Sequence, residues 1–239
     1  HNMKFVIAGS TGNIGSAVVQ VLSKVTDGSV TKITALTRSG SGDKPGLAAL
    51  KGIDVVDIVE CDLSDPASLA AVFKDGEFDA AFLCMSNFHG QVTAEKNFID
   101  ALVASVSCKY LVKIGTVRCS TAIDSVVEYG RFHAEIENYL EENTKSGDLK
   151  WTVLSPNWFM SNHLGDVFGT LPLSPSFIAY PVTNVDAGAN IVDPREIGTV
   201  AAKLLLQAKN PKHDGRKLNV SGPESVSMSM VQTLFAEAL

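Results

Sequence analysis

Regular structure begins at Phe5-Val-Ile-Ala-Gly9-Ser-Thr-Gly12-Asn-Ile-Gly15, where an apolar strand-like run meets three glycines spaced three residues apart. A glycine at the first position lets the chain turn sharply, one at the second lets backbone approach a pyrophosphate, and one at the third lets the following helix pack on the sheet. The free N–H groups and the positive end of that helix would face the anion. The stretch therefore predicts a dinucleotide-binding turn, with contacts from Gly9, Ser10, Thr11, Gly12, Asn13, Ile14 and Gly15.

Composition narrows the class of protein. The chain has 239 residues, 45% of them hydrophobic, and a net charge of −6, which suits one α/β domain and argues against direct binding of nucleic acid. The apolar run before the glycines is too short for a signal peptide or a membrane span, so we expect a cytoplasmic protein without membrane contact. The four cysteines lack C-x-x-C spacing, which favours buried thiols over a disulfide or a metal site.

Strand and helix patterns alternate over the first two thirds of the chain. Strands are expected at 4–8, 32–37, 53–60, 78–84, 109–115 and 150–155, and helices at 13–25, 66–74, 91–106 and 125–143. This order predicts an α/β fold in which a doubly wound parallel sheet of the Rossmann type carries helices on both faces.

The remainder of the chain is less regular. Residues 157–190 are rich in glycine, proline and aromatic residues, and a helix from Asp193-Pro194 to about 207, a strand near 217–221 and a helix from 228 follow. A long irregular segment inside a compact domain is usually functional. We expect a single domain over 3–239, in which 157–190 plus 215–239 form a small C-terminal substrate lobe.

The second strand indicates which cofactor is bound. It ends Ala35-Leu36-Thr37-Arg38-Ser39, without the acidic residue that usually binds an adenosine ribose hydroxyl. Arg38 can form paired hydrogen bonds to a 2′-phosphate, Ser39 can add a hydroxyl, and Lys44 can add charge. These residues favour NADP(H) over NAD(H); the alternative is that Arg38 is an ordinary surface cation.

Further cofactor contacts are expected after the third and fourth strands. Asp62 and Leu63 are the expected contacts after the third strand. Asp62 can accept a hydrogen bond from an adenine amino group or can serve only as a turn residue, whereas Asp65 caps the helix that starts at Pro66. The crevice beyond the carboxyl ends of parallel strands is where such sheets bind ligands. Three residues after the fourth strand should therefore lie near the middle of the cofactor: Met85, Ser86 and Asn87.

Four motifs resemble those of the NmrA-like group of atypical short-chain dehydrogenase/reductases. They are Gly9-x-Thr11-Gly12-x-x-Gly15, Cys61-Asp62-Leu63, Thr152-Val-Leu-Ser-Pro156-x-x-Phe159-Met160-x-Asn162 and Val192-Asp193-x-x-Glu196-Ile197-Gly198. The resemblance spans nearly the whole chain and implies an NADP-binding Rossmann domain with a small C-terminal lobe. Members of the group include quinone and aldehyde-type reductases, and also redox-sensing regulators that bind NADP without turnover.

The chain departs from this pattern at two places. The family often has Arg-Pro after the sixth strand, and here the pair is Ser155-Pro156, so that only Pro156 is kept as an expected cofactor contact. Dehydrogenases of the wider superfamily use Tyr-x-x-x-Lys for proton transfer, and this chain has Tyr129-Gly-Arg-Phe-His133. We name Tyr129, His133 and the upstream Thr116 as candidate catalytic residues; the alternative is that Tyr129 and His133 belong to the core face of their helix.

An aromatic segment is the candidate substrate site. Trp158, Phe159, Met160 and His163 can form an apolar wall with polar tips over the nicotinamide, and Phe168, Phe177 and Tyr180 continue the segment. The alternative is a packing plug for the small lobe.

These features predict an NADPH-dependent reductase of a small hydrophobic carbonyl or quinone-type substrate. The rival prediction is a cofactor-sensing regulator that binds a protein partner through 157–190 and has no turnover. An epimerase is less favoured, because it needs a larger sugar-nucleotide lobe.

Overall fold

The computed structural model describes residues 2–39, 45–173 and 182–238. Lys44, Phe177 and Tyr180, which the sequence placed near the cofactor and the substrate, lie outside the described residues. The strands are β1 (Met3–Ala8), β2 (Val30–Thr37), β3 (Val56–Glu60), β4 (Ala80–Leu83), β5 (Tyr110–Ile114), β6 (Lys150–Pro156), β7 (Gly188–Asn190), β8 (Arg216–Val220) and β9 (Ser225–Ser227).

Helices connect the strands in the expected alternation. They are α1 (Asn13–Ser23), α2 (Pro45–Ala48), α3 (Pro66–Asp75), α4 (Gln91–Ala104), α5 (Glu128–Asn143), α6 (Leu171–Leu173), α7 (Pro194–Leu205) and α8 (Met228–Ala238). Short 3-10 turns cover Arg118–Ser120 and Met160–His163, and a π turn covers Asp166–Thr170. The side chains of Asp65 and Asp193 accept from backbone N–H groups at the starts of α3 and α7, which confirms both predicted caps.

Seven of the nine described strands form a parallel sheet in the order β3-β2-β1-β4-β5-β6-β8. The strand order reverses between β1 and β4, so the crevice at their carboxyl ends is the place where this architecture binds ligands. One face of the sheet packs against α1 and α7, and the other packs against α3, α4 and α5. The predicted doubly wound Rossmann fold is confirmed.

The small lobe differs from the predicted one. β8 pairs with β6 from Thr152↔Arg216 to Pro156↔Val220 and is the edge strand of the large sheet. The described residues of the predicted lobe that lie outside that sheet include the antiparallel pair β7 and β9, the helices α6 and α8, and the turns at Met160–His163 and Asp166–Thr170. The sequence predicts a strand at 217–221. Its pairing with β6 depends on the long crossover through α7, and the local apolar pattern does not show this pairing.

Candidate functional site

The glycine turn after β1 leaves the N-terminus of α1 open. Gly9 has φ +79°, and a Cβ there would lie 1.8 Å from the carbonyl oxygen of Cys84, so another residue does not fit. A Cβ at Gly15 would lie 2.1 Å from the oxygen of Gly9. Gly12 is the residue before α1 and forms no side-chain cap, which leaves the first N–H groups of the helix to an external anion. The residues present therefore fit a pyrophosphate.

The side chains of two residues in the predicted turn have structural roles. Ser10 is fully buried, and its hydroxyl donates to the carbonyl oxygen of Leu36 at 2.8 Å, which ties the turn to the end of β2. Ile14 places its side chain in the core beneath α1. Thr11, Gly12 and Asn13 remain accessible at the mouth of the turn.

The end of β2 offers a cation beside this turn. Arg38 and Ser39 follow the last residue of the strand and are exposed. Gly46 at the start of α2 lies against Thr11, since a Cβ at Gly46 would be 2.1 Å from the carbonyl oxygen of Thr11. The glycine turn is thus a neighbour of the end of β2 and of the start of α2, the region that the sequence assigned to the adenosine phosphate.

Asp62 has a partner inside its own loop. Its Oδ1 accepts from the N–H of Ser64 at 2.8 Å, which makes it the turn residue that the sequence left as an alternative, while its exposed position keeps the carboxylate open to a ligand. Leu63 is buried, and its carbonyl oxygen accepts from Asn97. Met85, Ser86 and Asn87 follow β4 in irregular backbone at the carboxyl edge, as expected. Pro156 ends β6 and is buried.

The candidate proton donor lies in the first turn of α5. Tyr129 is the second residue of that helix and is 38% exposed. Thr116 follows β5 by two residues and is half-buried. Both residues belong to segments that start at the carboxyl edge of the sheet, where the crevice opens.

His133 lies one turn further along α5 and is buried. Its Nδ1 is 3.2 Å from Nζ of Lys113, a residue of β5. Burial first, and then the charge of Lys113, lower the pKa of His133 to about 2, so the imidazole is neutral at physiological pH. The sequence did not decide whether His133 is charged. Its neutral form is favoured here because a second positive charge would lie beside the buried ammonium of Lys113.

Lys113 belongs to a buried polar cluster that we call the Lys113 cluster and define as Gln91, Glu95, Lys113 and His133. Nζ of Lys113 lies 3.0 Å from Oε2 of Glu95 and 2.9 Å from the carbonyl oxygen of Ile114. Gln91 donates to Oε1 of Glu95 at 2.8 Å. Lys113 and Glu95 are each at most 1% exposed, so both charges are held by one another rather than by water.

Sequence reasoning missed this cluster, although a signal was present. Lys113 is the one charged residue in Tyr110-Leu-Val-Lys-Ile114, a strand that is buried along its whole length. A lysine in such a strand needs a buried partner, and Gln91 and Glu95, four residues apart on α4, share the helix face that supplies it.

The four residues of the predicted substrate wall differ in their contacts. Phe159 packs against the core on the α1 and α7 face and pairs with Val192 as an isolated bridge. Met160 lines a surface hollow of about 480 Å³ between the start of α1 and the start of α7. Nδ1 of His163 lies 3.2 Å from Oδ2 of Asp166, and its ring contacts Phe235 of α8. Trp158 is half-buried.

Three exposed apolar side chains instead follow β4 and β5. They are Phe88, Ile123 and Val126, with Val126 97% exposed. Their loops lead from the carboxyl edge of the sheet into α4 and α5, and the ring of Phe132 on α5 contacts the ring of His89. The sequence did not single them out, because isolated apolar residues in loops carry no periodic signal.

Within residues 2–39, 45–173 and 182–238, no three histidine, cysteine, aspartate or glutamate side chains are grouped closely enough to hold a metal ion. Of the helices described, none has the length and apolar character needed to cross a bilayer.

A model of the NmrA-like family matches residues 1–238. The chain belongs to the NmrA-like family. A curated relative is the (4-alkanoyl-5-oxo-2,5-dihydrofuran-3-yl)methyl phosphate reductase of Streptomyces griseus, 26% identical over 227 residues that cover 93% of this chain and 69% of the relative.

Solved structures share the fold at low sequence identity. The NADPH-dependent quinone oxidoreductase QOR2 of Escherichia coli, solved with NADPH, has a TM-score of 0.78 and 18% identity, covering 99% of this chain and 75% of its own. The Citrobacter sp. triphenylmethane reductase, solved with NADP(H), has a TM-score of 0.73 and 16% identity, covering 99% and 76%. The Bordetella bronchiseptica enzyme WbmH, solved with NAD+, has a TM-score of 0.75 and 15% identity, covering 100% and 82%.

Proposed function

We propose that this protein binds NADP(H) and reduces a small hydrophobic substrate that carries a quinone or another conjugated carbonyl group. The observation that carries the proposal is the open N-terminus of α1 beside an exposed Arg38 at the end of a strand without a terminal acid. When bound, NADPH supplies a hydride. Thr11, Gly12 and Asn13 would hold the pyrophosphate, and Arg38 and Ser39 would hold the 2′-phosphate.

Tyr129 is the proposed proton donor. Its exposed phenol at the start of α5 would give a proton to the oxygen that becomes negative as the hydride arrives, and the hydroxyl of Thr116 would orient that oxygen. Phe88, Ile123 and Val126 would supply apolar contact to the substrate and exclude water from it.

The similar reductases favour a conjugated acceptor over a simple aldehyde. They act on an unsaturated lactone, a quinone and a triphenylmethane compound, each of which has an extended π system. When a hydride adds to an unsaturated lactone or a quinone, the negative charge that develops is spread over several atoms, so the reaction depends less on a cation beside the proton donor. This agrees with a chain in which the helix lysine is replaced by a neutral histidine.

The test is NADPH oxidation, followed by absorbance, with a quinone, an unsaturated lactone and a saturated aldehyde. We expect turnover with the first two substrates. Tyr129→Phe should lower kcat by about 10²–10⁴-fold and leave the Kd of NADPH unchanged. Tyr139→Phe is the matched control, because Tyr139 lies near the other end of α5 and its hydroxyl donates to Asp100.

Three outcomes would contradict the proposal in different ways. Lack of NADPH binding would remove the cofactor assignment. Binding without turnover across the panel would favour the regulator. Full activity of the Tyr129→Phe protein would remove Tyr129 as the donor while leaving the reductase assignment in place.

A further inference from the structure

The hydrogen bonds around Lys113 fix which nitrogen of His133 carries the proton. An ammonium group has three N–H donors and no acceptor. Nζ of Lys113 lies 3.0 Å from Oε2 of Glu95, its ion-pair partner, donates to the carbonyl oxygen of Ile114 at 2.9 Å, and lies 3.2 Å from Nδ1 of His133. Nδ1 of His133 must therefore accept, and the proton of the neutral imidazole must be on Nε2.

We propose that Lys113 is a positioning residue that compensates for the absence of a lysine at position 133 of α5. It holds His133 in the neutral Nε2–H form, and this N–H group is then available as a hydrogen-bond donor in the crevice beside Tyr129. The inference rests on the proposed function for its catalytic meaning, but the proton position follows from the geometry of the Lys113 cluster alone. In the superfamily pattern a lysine ammonium would lie at position 133. In this chain the ammonium belongs to Lys113 on β5, and it acts on the crevice through the imidazole of His133.

Placement on the helix supports this role. Tyr129 and His133 are four residues apart on α5 and share one face, so the imidazole lies one turn below the phenol. Tyr129 is accessible and His133 is 4% exposed, so Tyr129 lies at the surface of the crevice and His133 lies beneath it. The Nε2–H group can donate to the phenol oxygen or to a ligand hydroxyl, and it remains a donor at any pH at which the protein is folded.

The charged and titratable groups around the imidazole come from several elements. Glu95 on α4 and Lys113 on β5 form the buried ion pair, and Glu137 lies one turn further along α5. Cys84, which follows β4, lies near Glu95 and Lys113, and burial raises the pKa of its thiol to about 12, so it is uncharged. The ammonium of Lys113 is thus the cation that the structure places in hydrogen-bonding contact with the ring.

The first arm of the test reads the proton directly. Long-range proton–nitrogen NMR spectra of protein labelled at histidine distinguish the two neutral tautomers, and His133→Gln identifies the signal of His133. We expect the wild-type signal to show the Nε2–H form alone across the physiological pH range. A wild-type His133 in the Nδ1–H form, or one that titrates near neutral pH, would overturn the proposal whether or not the protein has activity.

The second arm removes the cation without leaving an unpaired buried charge. The double variant Lys113→Met with Glu95→Gln deletes both charges, since removing one partner alone is strongly destabilising. We expect a mixture of tautomers at His133, a kcat lowered by about tenfold or more, and a new acid limb in the pH profile of kcat. Lys96→Met is the matched control, because Lys96 also lies on α4 and pairs with Glu135 at 2.7 Å outside the cluster.

A third variant separates position from structure. Lys113→Met with Glu95→Gln and His133→Lys moves the ammonium back to the helix and should recover kcat and the pH profile of the wild type. If the double variant has the kcat and pH profile of the wild type, Lys113 has only a structural role and the proposal is wrong. If the wild type proves inactive on every substrate, the proposed function fails while the NMR arm still decides the tautomer.

Discussion

Arg38 is the residue on which the cofactor preference depends. A charge-assisted hydrogen bond to phosphate contributes about 1.5–3 kcal/mol, so Arg38→Ala should weaken NADPH binding by about one to two orders of magnitude and leave NADH binding nearly unchanged. Fluorescence titration of both cofactors measures the two Kd values. Lys145→Ala, at an exposed position past the end of α5, is the control for nonspecific charge. Equal Kd values for the two cofactors in the wild type would contradict the assignment.

Individual residues also show where sequence reasoning stops. The roles of Asp65 and Asp193 follow from neighbours two positions away, and both were predicted. The partners of Lys113 come from α4 and α5, 18 and 20 positions away in the chain, and no local pattern pairs them.

Glu137 illustrates the same limit. Its carboxylate is buried and pairs with Arg118 at 2.6 Å and with Lys217 at 3.1 Å. These cations come from the segment after β5 and from β8, so only the assembled sheet shows that the carboxylate is paired.

At the scale of elements, the contact between α1 and α7 positions the cofactor turn. A Cβ at Gly198 of α7 would lie 2.6 Å from Cβ of Ala17 and 2.9 Å from the carbonyl oxygen of Ile14. Because that oxygen is backbone, α1 itself would have to move. We expect Gly198→Ala to lower the free energy of unfolding by about 1–3 kcal/mol and to weaken NADPH binding, as measured by denaturant titration and fluorescence.

Gly165→Ala is the matched control for this substitution. Gly165 has φ −62°, and a Cβ there would meet open space, so alanine should be neutral or should stabilise by about 0.4–1 kcal/mol. Wild-type stability in Gly198→Ala would show that the two helices can separate without cost, and the close packing would then not position α1.

The elements that were predicted well are those whose apolar pattern is continuous. β1, β5 and β6 match their expected ranges to within one residue, whereas α5 begins at Glu128 rather than 125. The difference arises because Ser125 belongs to the preceding loop: its hydroxyl accepts from the N–H of Val127 at 3.2 Å, and its carbonyl oxygen accepts from Arg131. Hydrogen bonds from a serine side chain to nearby backbone compete with the hydrogen bonds of a helix. They do not change the spacing of the apolar residues, so the apolar pattern did not show where the helix starts.

At the scale of the whole molecule, the sequence did not show the contacts of the predicted substrate wall, Trp158, Phe159, Met160 and His163. The backbone passes through a bridge between Phe159 and Val192 and then through a 3-10 turn, so that Phe159 packs against the core while Met160 is exposed. These contacts depend on the crossover to α7, which is a property of the assembled fold. A substrate site at these residues stays a prediction.

The acid stability of the whole molecule should depend on His133. Its pKa is about 2 in the folded protein and near 6.5 in an unfolded chain, so between these values the unfolded state binds the additional proton. The free energy of unfolding therefore falls as the pH decreases below about 6.5, by about 1 kcal/mol over the first pH unit, from this group. Denaturant titrations over that pH unit measure the slope, and the range lies above the pH at which most carboxylates titrate.

His133→Gln should flatten the slope, whereas His89→Gln, at an exposed histidine, should leave it unchanged. An equal slope in the wild type and in His133→Gln would mean that His133 takes up a proton in the folded state, and the neutral imidazole on which the Lys113 cluster depends would be ruled out.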